Sequence, residues 1–287
     1  MSATETENAE LVLWDLDPDG VLTLTWNRPE RKNAWTPDLE NAYFAALDRA
    51  RAEPAVRVVV VTGAGGAFCP GLDMQRLATI SRRGGLSISD RRPQYTPRLF
   101  DKPLIAAING PCAGIGLVQA LQADLRFAGS GSRFATAFTR RGLGPEYATA
   151  WVLPRLVGVA NALDLLLSAR TFGAEEAERL GLVNRVLPPE DVLPAARDYA
   201  RDLARNCSPE AMAMVRREVY DGLDLDFREA LRLSLRSMAY LNARPDFAEG
   251  VASFSEKRPP RFSPLDAAFD ADAVLAVSTR PLPGPGE

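Results

Sequence analysis

The stretch LIAAINGPCAGIGLVQALQADLRFA, residues 104–128, decides the fold of this 287-residue chain. Residues 104–108 form a short apolar run, the length of a strand covered on both faces, and Asn109-Gly110 breaks it. The loop 109–113 leads into an apolar helix that reaches about Gln122, and a second strand follows over 125–128. A strand, a glycine turn, a helix and another strand in close succession make the unit of an α/β core with parallel pairing. The helix carries the chain back across the sheet, so the next strand starts in the same direction.

Working outward, residues 56–62 are a nearly continuous β-branched run, a second buried strand, ended by Gly63-Ala64-Gly65-Gly66. Residues 11–16 and 21–26 flank Asp17-Pro18-Asp19-Gly20 and predict a hairpin. Segment 36–52 sets Leu39, Ala42, Tyr43, Ala46, Leu47 and Ala50 at helical spacing, with Thr36 as N-cap and Pro37 as first helical residue. From about Ala148 the pattern is mainly helical, including 174–180, 191–205, 209–220 and 227–241. The last of these carries Leu231, Leu233, Leu235 and Met238, apolar surface suited to a second copy of the chain. Residues 79–98, rich in Arg, Ser, Gly and Pro, read as a mobile surface loop, and 280–286 as a disordered ending.

Composition narrows the chemistry. With 46% hydrophobic and 25% charged residues, the chain matches an ordinary globular protein of one or two domains. Its 34 basic residues are offset by 37 acidic ones without a dense basic run, which argues against nucleic acid as a partner. There is no histidine, so every Ser-His-Asp or Cys-His nucleophile system and every His-bearing metal triad is excluded. Proton transfer falls to carboxylates, Tyr, Cys or Lys. Cys69, Cys112 and Cys207 lack CxxC spacing, predict no metal site and suit a reducing cytoplasm. No stretch approaches the ~18 apolar residues of a membrane span, and the polar first ten residues do not read as a secretory signal.

Two glycine turns are candidates for function. GAGGAFCPGLDMQ, 63–75, fails as a dinucleotide loop because Phe68 stands where the third glycine of GxGxxG belongs. It is either a plain strand-to-helix turn or one that aims the N–H of Leu72 into a cleft, where an oxyanion is favoured. NGPCAGIG, 109–116, allows the same two readings for the N–H of Ile115.

NRPERKNAW at 27–35, AFCPGLDM at 67–74, INGPCAGIG at 108–116, ADLRFA at 123–128, RRGLGPE at 140–146, LPRLVG at 153–158, AEEAERLGLVNRV at 174–186 and EGVASFSEKRPPRF at 249–262 follow one another in a distinctive order. In this order they resemble the enoyl-CoA hydratase/isomerase family, the crotonase superfamily, over about residues 10–262. The resemblance implies an α/β spiral of ββα units over 10–205, a C-terminal helical region over 206–265 and a flexible tail over 266–287. It also implies trimers or hexamers, acyl-CoA thioester substrates, and no cofactor beyond the CoA of the substrate. Two backbone N–H groups of the family hold the thioester oxygen as it becomes an enolate, and the matching positions are Leu72 and Ile115. Arg28, Arg31 and Lys32 precede the first long helix within reach of CoA phosphates, and Lys257, in the EKR element, is a further CoA or subunit contact.

The departures from the family pattern are informative. The two-glutamate hydratases of the family place their acids at the positions of Val118 and Phe138, so that pair is absent. Another branch, with 3-enoyl-CoA to 2-enoyl-CoA isomerases, carries one acid at the position of Glu146. The resemblance therefore implies a single proton shuttle, Glu146, and slightly favours double-bond isomerisation. The alternatives are a 2-enoyl-CoA hydratase using Glu146 and a water, and a non-catalytic acyl-CoA-binding or scaffold protein. Tyr147 stands where glycine often follows the acid, and the β-branched Ile115 is expected to narrow the pocket. Asp73 reads as a helix N-cap, and Cys69 and Cys112 as small packing residues.

Overall fold

The structure, a computed structural model, describes residues 10–82 and 92–275. The N-terminal hairpin forms as expected, with β1 (Val12–Leu16) antiparallel to β2 (Val21–Trp26). Helix α1 (Pro37–Ala52) starts at Thr36, whose side chain accepts from the N–H of Leu39 at 3.2 Å. The chain continues through β3 (Val58–Gly63), α2 (Met74–Arg82), β4 (Leu104–Ile108), β5 (Cys112–Ala113), α3 (Ile115–Leu121), β6 (Leu125–Gly129) and β7 (Arg133–Ala135). Then come α4 (Thr149–Val157), α5 (Val159–Ser168), β8 (Phe172–Gly173), α6 (Ala174–Arg179), β9 (Arg185–Leu187) and α7 (Val192–Asn206). Helices α8 (Pro209–Gly222), α9 (Phe227–Asn242), α10 (Pro245–Glu256) and α11 (Ala271–Leu275) complete the described chain.

The strands make a six-stranded sheet in the order β1-β2-β3-β4-β6-β9, parallel from β2 onward, and a small sheet β5-β7-β8. The chain visits the large sheet and then the small one, as β4 then β5 and β6 then β7. This is the expected spiral of β pairs and helices. Strand β3 shows why the core closes. All six of its residues are buried, and the period of two sends Val58 and Val60 toward α7 and Val59 and Val61 toward the other face. The α7 face is a stripe of Ala196, Ala200 and Ala204, small enough for the helix to lie against the sheet. Each buried valine contributes roughly 1.5–3 kcal/mol.

Two expectations need correction. Of residues 79–98, residues 79–82 finish α2 and 96–99 form a 3₁₀ turn, while 83–91 lie outside the described residues. Gln94 is fully buried, accepting from Gln119 Nε2 at 2.9 Å, a side-chain contact no local composition reveals. The tail expected over 266–287 does not begin at 266. Ala271 and Leu275 are buried on α9 and α8 because α11 covers an apolar cluster with Met214 and Leu233. Residues 276–287, with the ending 280–286, lie outside the described residues. Leu233 is thus turned inward, whereas Leu231, Leu235 and Met238 are exposed.

Candidate active site

The two glycine turns lie side by side. Cys69 and Cys112 form a parallel bridge, in which the Cys69 N–H donates to Pro111 O at 3.0 Å and the Ala113 N–H to Cys69 O at 2.9 Å. Gly116 makes this approach possible: a Cβ there would stand 2.1 Å from Cys69 O, so only glycine fits. Asn33 ties the first turn down, its Nδ2 donating to Ala64 O and Ala67 O, and Asn109 Nδ2 does the same to Gly63 O at 2.6 Å.

Among the described residues, no backbone acceptor pairs with the N–H of Leu72 or of Ile115. Trp35 pairs with Leu72 through the neighbours of Leu72: Trp35 N–H donates to Gly71 O and Asp73 N–H to Trp35 O. The N–H of Leu72 itself points to the other side. Gly114 turns the chain at φ 51°, ψ −126°, a region only glycine occupies comfortably, and delivers Ile115 as the first residue of α3. A first-turn N–H has no partner within its helix. Leu72 and Ile115 line one cavity of about 400 Å³, with Glu146, Phe138, Leu143 and Arg141 also on its wall. The side chain of Ile115 packs into the main core at 2% exposure.

Glu146 comes to the cavity on a reversed segment. The Phe138 end makes a 3₁₀ turn over Thr139–Arg141, and Gly142 takes a positive φ of 68°. The carbonyl of Glu146 accepts from the N–H and hydroxyl of Thr149 at 2.9 and 2.6 Å, anchoring the start of α4. Tyr147 and Ala148 follow at φ 46° and 61°. Two successive side-chain-bearing residues in the left-handed region carry about 1–2 kcal/mol of strain each. The turn that glycine serves elsewhere is made here without it, and Glu146 is left half-buried at the cavity.

The other expected site residues divide. Arg31 lines the cavity. Arg28 does not, because its guanidinium turns inward, donating to Ala34 O and pairing with Asp73 at 3.7 Å. Asp73 caps α2 as expected, accepting from Gln75 N–H at 3.1 Å, so Arg28 braces the loop next to Leu72. Lys257 ends α10 in the left-handed conformation, exposed and away from the cavity lining. Burial pushes the Cys69 thiol up to about 12 and Cys112 upward as well, which disarms both as nucleophiles. Val118 and Phe138 are buried apolar residues, and Phe138 forms part of the cavity wall. Arg141, Leu143, Met74 and Leu77 are wall residues not singled out from sequence; Arg141 and Leu143 sit in the RRGLGPE motif beside Glu146. Among the described residues there is no cluster of three or more Cys, Asp or Glu suited to a metal, and no helix long and apolar enough to cross a membrane.

The geometry can be set beside known proteins. A family model described as Enoyl-CoA hydratase/isomerase matches residues 17–264. A Rhodobacter capsulatus protein named "Probable enoyl-CoA hydratase" is 39% identical over 251 residues, covering 85% of this chain and 95% of the relative. The Escherichia coli "1,2-epoxyphenylacetyl-CoA isomerase" is 33% identical over 258 residues, covering 85% and 95%. The crystal structure of an enoyl-CoA hydratase from Polaromonas sp. JS666 superposes with a TM-score of 0.81 at 30% identity, over 88% of this chain and 99% of that one. The ordered motifs, the two sheets joined in a spiral and these matches agree, and the chain belongs to the enoyl-CoA hydratase/isomerase family, the crotonase superfamily.

Proposed function

We propose that the protein is an acyl-CoA enzyme that stabilises a thioester enolate and moves one proton, shifting a double bond from the 3 to the 2 position. The thioester oxygen sits between the N–H groups of Leu72 and Ile115. Glu146 takes a proton from C2, and the electron pair moves into the C1–C2 bond and onto the thioester oxygen, giving an enolate conjugated with the C3–C4 double bond. As the oxygen returns its pair, a C2–C3 double bond forms, the C3–C4 pair takes up a proton at C4, and Glu146 is the group that returns it. One base is sufficient for this reaction, whereas hydration also requires a water to be held and activated. The observation that carries the reading is the cavity wall. Glu146 faces it together with both N–H carriers, while the two positions of the paired acids hold Val118 and Phe138. Fixed donors of this kind are worth about 3 kcal/mol each to a developing oxyanion.

Arg31 meets the CoA phosphates at the cavity edge, Arg28 braces the Leu72 loop, and Lys257 reaches CoA only across a subunit boundary. The substrate's CoA is the only cofactor required. A homotrimer or hexamer covers Phe227, Leu231, Met238 and Phe254, large apolar residues left open on α9 and α10. A reducing cytoplasm keeps the three thiols free.

A second reading, a 2-enoyl-CoA hydratase with Glu146 and a water, is favoured by the names of the Rhodobacter and Polaromonas relatives. Turnover of a 3-enoyl-CoA and of a 2-enoyl-CoA, with acyl-CoA affinity followed separately, tests both. Activity on the first alone supports the isomerase, and on the second alone the hydratase. Glu146→Gln is expected to lower turnover by ~10²–10⁴ with affinity nearly unchanged, since the amide keeps the shape but accepts no proton. Full activity in the variant overturns the shuttle. A wild type that binds acyl-CoA but turns over neither substrate is the non-catalytic binding protein.

A further inference from the structure

A second cavity, of about 390 Å³, lies between α4 and α8 and shares no lining residue with the first. Arg98, Arg126, Arg155 and Arg216 line it against a single acid, Asp124. That acid is already committed. Its Oδ2 accepts from the Leu104 N–H and from Arg216 Nε, and its Oδ1 from the Tyr220 hydroxyl, all at 2.7 Å. Arg126 is committed too, with Nε donating to Leu182 O at 2.7 Å and Nη1 to Ala123 O at 2.6 Å. Arg155 lies over the Trp151 ring, 3.7 Å from its centroid, and donates to Trp151 O.

Arg98 and Arg216 are different. Each has a buried guanidinium nitrogen with no hydrogen-bond partner among the described residues, Nη2 of Arg98 and Nη1 of Arg216, and Arg216 is only 7% exposed. Both guanidinium groups stand over the same ring, that of Tyr220, at 4.1 and 5.4 Å. Asp101, Asp221 and Asp224 act on this pair through space but do not line the cavity. An unmade hydrogen bond on a buried charged group is costly, so the cavity favours an anion. Two open N–H groups on two arginines suit the two oxygens of one carboxylate. The remaining wall, with Leu121, Val152, Leu156 and Val219, is apolar and suits a hydrocarbon chain behind that carboxylate.

We propose that this cavity binds a small aliphatic carboxylate, its oxygens on Arg98 and Arg216 and its chain along Val152, Leu156 and Val219. The site is separate from the thioester cavity, and the proposal stands whichever reaction occurs there. The test is calorimetric titration of the full chain with hexanoate and, separately, with inorganic phosphate, repeated on Arg98→Gln. Arg98 makes no side-chain hydrogen bond to the described residues, so this variant keeps the Asp124 network that Arg216→Gln would break. Hexanoate is expected to saturate one site per chain, to bind more tightly than phosphate, and to lose about tenfold in affinity in Arg98→Gln, the loss of one charge-assisted bond. No binding of hexanoate, equal binding of phosphate, or unchanged affinity in the variant overturns the proposal. So does a change of particle size in light scattering on Arg98→Gln, which makes the cavity a contact between copies.

Discussion

The paired turns 63–73 and 109–116 contrast with residues 137–148, the segment that carries Glu146. In the turns, Cys69 and Cys112 are fully buried, and backbone packs on backbone without room for a Cβ at Gly116. In the segment, residues 139–145 are exposed, and Ala137, Gly142, Tyr147 and Ala148 all have positive φ. Under the proposed function, the difference follows from what each part must do. Donors that meet a developing charge are effective only if they need not reorganise, so they belong on a locked frame. A proton carrier needs only reach, and a strained, open segment supplies it.

Three substitutions break or sharpen this contrast. The largest effect is expected from Gly116→Ala, whose methyl must displace Cys69 O. Overpacking against backbone costs about 3 kcal/mol, read as a lower urea midpoint, and acyl-CoA affinity falls with it. A variant as stable as wild type would show that the turns are not locked. Arg28→Gln is smaller in stability, ~1 kcal/mol for a half-screened ion pair. Turnover is expected to fall about tenfold through a displaced Leu72 N–H, because small misplacements at a reacting centre are amplified. If only stability moves, Arg28 is structural alone. The smallest effect belongs to the open segment. Ala148→Gly relieves the left-handed strain against a gain in unfolded-chain entropy, for a net stabilisation of about 0.5 kcal/mol in thermal unfolding. Turnover is expected to hold within about twofold if the segment tolerates adjustment as reach requires.

Much of the fold was legible because it is local. The nearly continuous β-branched run of residues 56–62, the Thr36-Pro37 start of α1 and the glycine break after Ile108 each act within a few residues, and each element forms within a residue or two of its expected place. The small sheet β5-β7-β8 was not legible. Its strands are two or three residues long and pair across as many as 40 positions, from Arg133 to Gly173, below any periodic signal. At the site, Leu72, Ile115 and Glu146 came from ordered motifs and converge on one cavity. Arg28 shows the limit: an arginine in a charged loop reads as solvent-facing, and its partner Asp73 is forty-five positions away. Tyr147 and Ala148 show it again, since nothing in a side chain announces a backbone that defies its own preference.

The unpaired N–H groups of Leu72 and Ile115 carry a consequence for solvent exchange. Around them the frame is bonded throughout: β3 and β4 are ladder strands, and the N–H of Cys69, Asp73, Ala113 and Gly114 all donate. Deuterium enters such amides only when the frame opens, on the timescale of large fluctuations. Leu72 and Ile115 line the cavity, and under the proposed function their N–H groups are expected to exchange without that opening. They are expected to be fast-exchanging positions in a slow-exchanging core, and a thioester oxygen bound between them, as proposed, is expected to slow both without any change in the fold around them.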